Sequence, residues 1–259
     1  LAIISIPLML INWWLINWIP GSSDESESNI RYMWTMIALV TIQAPLVSIL
    51  ITPMLGNAMF LEEVSAAKIW KTVRESWFGL FLIQLLLRGI IFSWILMALV
   101  PEGSAEFTGW EVWLILLVLY SVVMRATRPF INEIILLERN PLRSKDKSEM
   151  TVGKRSSALH TPNSADLMSR FISCAGVAFF LSVSIIGTLW FMWGMLLFDW
   201  EWGTFMLQIV FPASLWLVAG YFAVVRFMCY LDLRIRREGW EVELIMRAAA
   251  SRLTGIGMA

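Results

Sequence analysis

The chain has one histidine, two cysteines and four tyrosines among 259 residues, and only 15% of it is charged. Each scarcity removes a class of chemistry. Haem ligation by paired imidazoles needs two histidines, and the one present, His160, lies in a hydrophilic stretch. No CxxC pair or histidine cluster offers a transition-metal site. A Ser/His/Asp triad would have to draw its base from that same hydrophilic stretch, where nothing holds an imidazole rigidly. Walker and GxSxG motifs are missing as well. Cys174 and Cys229 each fall in an apolar run and read as small packing residues. A formal net charge of zero gives no bulk pull towards nucleic acid. We therefore expect no enzyme activity, no cofactor and no nucleic-acid partner.

What the chain has in abundance is apolar surface. It is 58% hydrophobic, with 15 Trp, 15 Phe and a mean hydropathy of +0.70, far from the balance of a soluble domain. Six segments are long enough to cross a hydrocarbon core of about 30 Å at ~1.5 Å per residue: 1–19, 30–52, 77–100, 110–127, 171–198 and 203–230. The expected fold is an all-α membrane protein whose six transmembrane helices form three hairpins, 1–52, 77–128 and 171–230. Leu1 opens inside an apolar run without an initiator Met, so an N-terminal piece is expected to precede it. A cleaved signal peptide is the competing explanation, although 1–20 itself reads as a span.

The connections alternate. One set is short and acidic (GSSDESESN, PEGSAEFTG, DWEWG) and the other is longer and basic. Arg31 goes with the acidic set and Arg88 inside a span; the remaining Lys and Arg are assigned to the basic side. That bias puts the basic connections and both termini in the cytoplasm of a plasma membrane. Most tryptophans, including Trp200 and Trp202, then fall near the outer ends, as an aromatic belt or as a partner-binding tip beside Asp199 and Glu201.

Two basic-side connections begin alike, PMLGNAMFLEE from Pro53 and PFINEIILLER from Pro129, with Leu61 matching Leu137 and Glu62 matching Glu138. We expect cytoplasmic amphipathic elbow helices at 53–76 and 129–170, with Ser65 and Asn163-Ser164 as N-cap candidates. Within the second, 140–161 reads as a solvated linker by composition. The segment 231–259 takes the elbow's place in a third unit, as a cytoplasmic helix with Trp240, Leu244, Ile245 and Ala248 in an apolar stripe.

The tail run contains Tyr230, Asp232, Arg234, Arg236, Arg237, Glu238, Gly239 and Trp240. It resembles the closing motif of a bacterial family, the membrane domain named after glycerophosphoryl diester phosphodiesterases. The resemblance extends more weakly to the Pro53 elbow and the hairpin pattern. It implies a bacterial plasma-membrane protein with this architecture. The catalytic domain fused to some members is missing here, so the activity is not carried over.

Arg88 is the sequence's sharpest question, because a charge near mid-bilayer costs roughly 2.5–3.5 kcal/mol on insertion scales and should face protein or a water cavity. Gln84 lies one turn before it. Pro45 lacks an N–H, so the Thr41 carbonyl loses its helical donor, and Thr41 and Gln43 sit at about the depth of Arg88. Arg88 is expected to cap this opened turn, with no acidic residue at that depth. Arg88, Gln84, Gln43 and Thr41 are thus the candidate anion or lipid site. Partner-contact candidates are Trp200, Trp202, Asp232, Arg234, Arg236, Arg237 and Trp240. The leading expectation is a non-enzymatic accessory or scaffold subunit of a membrane assembly, in contact with lipid and other membrane subunits. The alternative is a transporter or lipid- and anion-handling protein that uses Arg88.

Overall fold

The computed structural model describes residues 2–17, 25–59, 65–100, 109–143 and 150–238, with only the backbone of residues 17, 25–28, 237 and 238. Leu61, Glu62 and the 240–248 stripe, Trp240 included, lie outside the described residues. Those described form helices and connections, with no strand among them.

The helices are α1 (Ala2–Asn17), α2 (Glu25–Gln43), α3 (Ser48–Met59), α4 (Ala66–Glu75), α5 (Trp77–Leu87), α6 (Ile90–Ala98), α7 (Trp110–Thr127), α8 (Ile131–Leu137), α9 (Val152–His160), α10 (Ser164–Leu197) and α11 (Phe211–Glu238). By length and composition four stretches can cross a membrane: Asn29–Met59, Trp110–Thr127, Val152–Leu197 and Met206–Arg236. A fifth is the pair α5 and α6, bent by 51°. The apolar helix Ala2–Ile16 is shorter, because 16 helical residues rise only ~24 Å, less than the hydrocarbon core.

Three of these paths break, each for a local reason. Pro45 cannot donate, so the chain tightens into a 3-10 turn at Ala44–Leu46 before α3 resumes. In α5, Phe81–Leu87 winds as a π-helix whose last amide, Arg88 N–H, reaches the Ile83 carbonyl at 3.2 Å. Gly89 then takes φ +81° and starts α6. The third break follows α7 at Arg128, before α8.

Paired ends are opposite in character. At one end Arg31 pairs with Glu111 at 2.6 Å and lies over Trp110, which stacks on Trp34. Trp190 stacks on Trp202, and Trp193 on Phe205, at the turn between α10 and α11. Far along the same two helices, Arg170 pairs with Asp232. The lone cation among the acidic connections thus has a carboxylate of its own.

The elbows depart from expectation. Pro53 sits buried inside α3, and only α4, exposed along its length, has the form of an interfacial helix. Its Ser65 is at the N-cap position without a side-chain bond. The second elbow does not lie on a surface: in α8, Ile131 through Leu136 are all buried. It packs on α3, where Gly56 faces Leu137 so closely that a Cβ would lie 2.7 Å from Cδ2. Within the stretch 140–161, expected as a solvated linker, Val152–His160 is a packed helix that buries Val152, Ser156, Leu159 and His160, while 144–149 lies outside the described residues. The reason is that Phe130, Ile131, Ile134 and Ile135, with Val152 and Leu159 of α9, form one core with Phe227, Tyr230 and Leu231 of α11. Asn163 takes the N-cap position of α10 without a side-chain cap bond. Both α10 and α11 run past their expected ends, starting at Ser164 and continuing to Glu238.

The break at Gly89 makes a direct prediction. Gly89→Ala places a Cβ in the left-handed region and should destabilise the protein by about 1–2 kcal/mol, read as an earlier thermal unfolding in detergent. Gly176→Ala, in α10 with open space around it, should leave the midpoint unchanged or raise it slightly.

Candidate functional site

The three breaks lie beside one another, and their freed backbone groups are met by side chains. The Thr41 carbonyl, stripped of its donor by Pro45, accepts from Arg125 Nη1 at 2.6 Å. The Pro45 carbonyl accepts from Asn132 Nδ2 at 3.1 Å, and the same amide donates to Ser48 Oγ at 2.5 Å. The Leu87 carbonyl accepts from the Tyr120 hydroxyl at 2.8 Å. Arg88, 2% exposed, donates to Gln84 Oε1 at 3.2 Å and to the Arg128 carbonyl at 3.4 Å. Each bond crosses between helices or closes a broken turn.

Two sequence expectations are corrected here. The opened turn at Thr41 is real, but its donor is Arg125; Arg88 instead ties the α5 break to the end of α7. Gln43 is not part of that group. It exchanges two hydrogen bonds with Asn12, at 3.0 and 2.7 Å, both residues fully buried, and so fastens α2 to α1. The second correction concerns acids. Glu133, assigned from sequence to a surface elbow, is fully buried in α8 and pairs with Arg226 of α11 at 3.0 Å. Its Oε2 has no hydrogen-bond partner. Burial of α8 is what carries this carboxylate into the interior.

Arg125 and Arg226 were missed. Both fall within segments drawn as spans, 110–127 and 203–230, yet they were counted with the basic connections near which they lie. The span boundaries themselves were the signal that could have found them.

These two side chains line a cavity of about 630 Å3 between α2, α7, α10 and α11. Its walls are apolar, from Ile37 and Val40 on α2 to Phe211 and Leu215 on α11. On α10 the lining side chains include Cys174, Ala175, Ala178 and Ser182, a stripe at helical spacing whose small size leaves the space open. Arg125, Arg170 and Arg226 all enter at the end where α10 begins and α7 and α11 finish. Arg170 is compensated, with Asp166 and Asp232 both accepting from it. Arg125 is not: among the described residues no carboxylate pairs with it, nor with Arg88. Arg88, Arg125 and Arg226 together meet one acid, Glu133, leaving a surplus of two positive charges around the cavity end.

The tail residues are engaged within the chain. Glu138 accepts from Arg155 at 2.5 and 3.1 Å and from the Tyr230 hydroxyl at 2.7 Å, with Arg234 at 3.7 Å. Asp232 also accepts from Arg236. Arg237 is described by its backbone alone. Trp200 lies edge-on to Trp190 and against Gly194, where a Cβ would sit within 3 Å of its ring. His160 stacks on Phe130; its Nε2 accepts from the Phe130 N–H at 3.2 Å and its Nδ1 lies 2.7 Å from the Ser156 carbonyl. Both ring nitrogens are therefore occupied, Nε2 tying α9 to the start of α8 and Nδ1 closing on the backbone of α9 itself.

Compared with protein-family models, curated proteins and solved structures, the chain finds no match.

Arg88 does not line the cavity, and its two partners belong to broken turns. Arg88→Met should therefore lower stability by about 1–3 kcal/mol, the cost of leaving Gln84 and the Arg128 carbonyl unsatisfied. Thermal unfolding should report this loss while the cavity keeps whatever ligand it binds.

Proposed function

We propose that the protein is a non-enzymatic membrane protein that binds an anionic ligand in the cavity beside Arg125 and Arg226, as a transporter or a lipid-handling protein. The reading includes six spans in a bacterial plasma membrane, basic connections and both termini cytoplasmic, and kinship with the phosphodiesterase-associated membrane domain. One observation carries it: a mostly apolar cavity ends at two arginines of which, among the described residues, only Arg226 meets a carboxylate, Arg125 holding a backbone carbonyl alone. A positive surplus inside a low-dielectric region is costly by itself, and an anion with hydrogen-bonding oxygens is the group that offsets it. Discontinuous helices lie beside the same cavity, an arrangement that suits charged cargo. The anion site moves from Arg88, as expected from sequence, to its neighbours.

A scaffold subunit is the second reading. What favours it is α10, which turns Phe180, Leu196 and other large apolar side chains outward. In a bilayer such a face meets lipid equally well, so it discriminates less than the charge surplus does. The tail arginines lend the scaffold little, because Arg234 and Arg236 already pair with Glu138 and Asp232.

Arg125→Gln retains an N–H for the Thr41 carbonyl while removing the charge. It and Arg226→Gln should each weaken binding of an anionic lipid by roughly 10–100-fold, the worth of one charge-assisted hydrogen bond. Glu133→Gln should strengthen binding by releasing Arg226. Titration by native mass spectrometry measures all three; equal affinity across the set would remove the reading.

A further inference from the structure

The cavity is amphipathic along its length as well as charged at one end. Its cationic side chains sit together where α10 begins, and beyond Arg170 α10 presents one inward stripe from Phe171 to Ile186. At ~1.5 Å rise per residue that stripe is ~22 Å long, the dimension of an extended hydrocarbon chain and not of a compact ion. The volume, about 630 Å3, lies in the range of sites for small ligands: it takes one chain and a small headgroup, and is short of two chains.

The wall facing outward is a single helix. Along α10 only Leu167 and Gly194 are buried, and the lining residues Phe179 and Val183 are 63% and 54% exposed on that helix. A ligand can therefore reach the cavity sideways from the bilayer, past α10, without crossing an aqueous path. At the charged end Arg170 is compensated by two carboxylates, whereas among the described residues Arg226 meets only Glu133 and Arg125 only the Thr41 carbonyl.

We propose that the occupant is a single-chain anionic amphiphile, a fatty acid or lysophospholipid, that enters laterally beside α10. Its carboxylate or phosphate lies between Arg125 and Arg226, and its chain runs along the Cys174, Ala178 and Ser182 groove. This rests on the anion-binding reading above and adds the chain, its direction and its route.

The two thiols make the test, since Cys174 and Cys229 both line the cavity. The full chain is placed in phosphatidylcholine nanodiscs, and maleimide alkylation of each cysteine is followed by mass spectrometry. Lysophosphatidate, lysophosphatidylcholine or inorganic phosphate is added to separate samples. Lysophosphatidate should slow alkylation of Cys174 at least fivefold, the other two should not, and Arg125→Gln with Arg226→Gln should abolish the protection. Native mass spectrometry of the same samples counts bound amphiphile whatever the thiols' reactivity, with one lysophosphatidate per chain expected. Protection or binding by inorganic phosphate alone would overturn the amphiphile while leaving an anion site standing. Equal protection by lysophosphatidylcholine would overturn the headgroup placement. No binding of any of the three would overturn both this inference and the reading beneath it.

Discussion

A backbone carbonyl released inside a bilayer has no water to turn to, and the structure depends on how this chain answers that constraint. Pro45 releases the Thr41 carbonyl, and Arg125 of α7 takes it. Gly89 ends the α5 π-helix, and Tyr120 takes the Leu87 carbonyl that results. The end of α7 exposes the Arg128 carbonyl, and Arg88 takes that. Because the donors come from neighbouring helices, each broken turn becomes a cross-link, and the breaks converge on one level of the molecule.

Using arginine as the donor has an electrostatic consequence. A neutral amide such as Asn132 satisfies carbonyls without adding charge, but Arg88 and Arg125 add one charge each, Arg226 beside them adds a third, and burial of α8 supplies only Glu133 in return. An arginine buried among apolar helices costs free energy, partly recovered by its hydrogen bonds. The surplus sits next to a cavity because α10 contributes small side chains, Cys174, Ala175 and Ala178, where larger ones would close the space. Charge and cavity thus meet at one end of the bundle: interrupted helices bring in Arg88 and Arg125 as donors, and the small side chains of α10 leave the space beside Arg125 open.

The membrane-embedded helical character was legible from apolar length alone, and the opened turn at Thr41 from Pro45. Depth was the difficulty. PFINEIILLER has the composition of an interfacial helix, yet α8 is enclosed by α3, α9 and α11, and periodicity does not distinguish an apolar helix covered by protein from one covered by lipid. The same blindness hid Glu133, which sequence places near the surface and packing places at the centre. Arg125 and Arg226 were lost to a different cause. Being only a turn or so from the basic connections, they read as flanking charges, whereas Arg88, far from either end, announced itself. Depth alone pointed to Arg88 as the donor to Thr41, because Arg125 lies near the end of its span; the packing of α7 on α2 brings Arg125 there instead.

An experimental density map of the protein in a lipid nanodisc tests the central claim most directly. The account predicts elongated density between α7 and α10 that ends in a headgroup within hydrogen-bonding reach of Arg125 and Arg226. A cavity closed by α10 seated against α7, or one holding ordered water alone with both guanidinium groups paired to carboxylates of the chain, would contradict it.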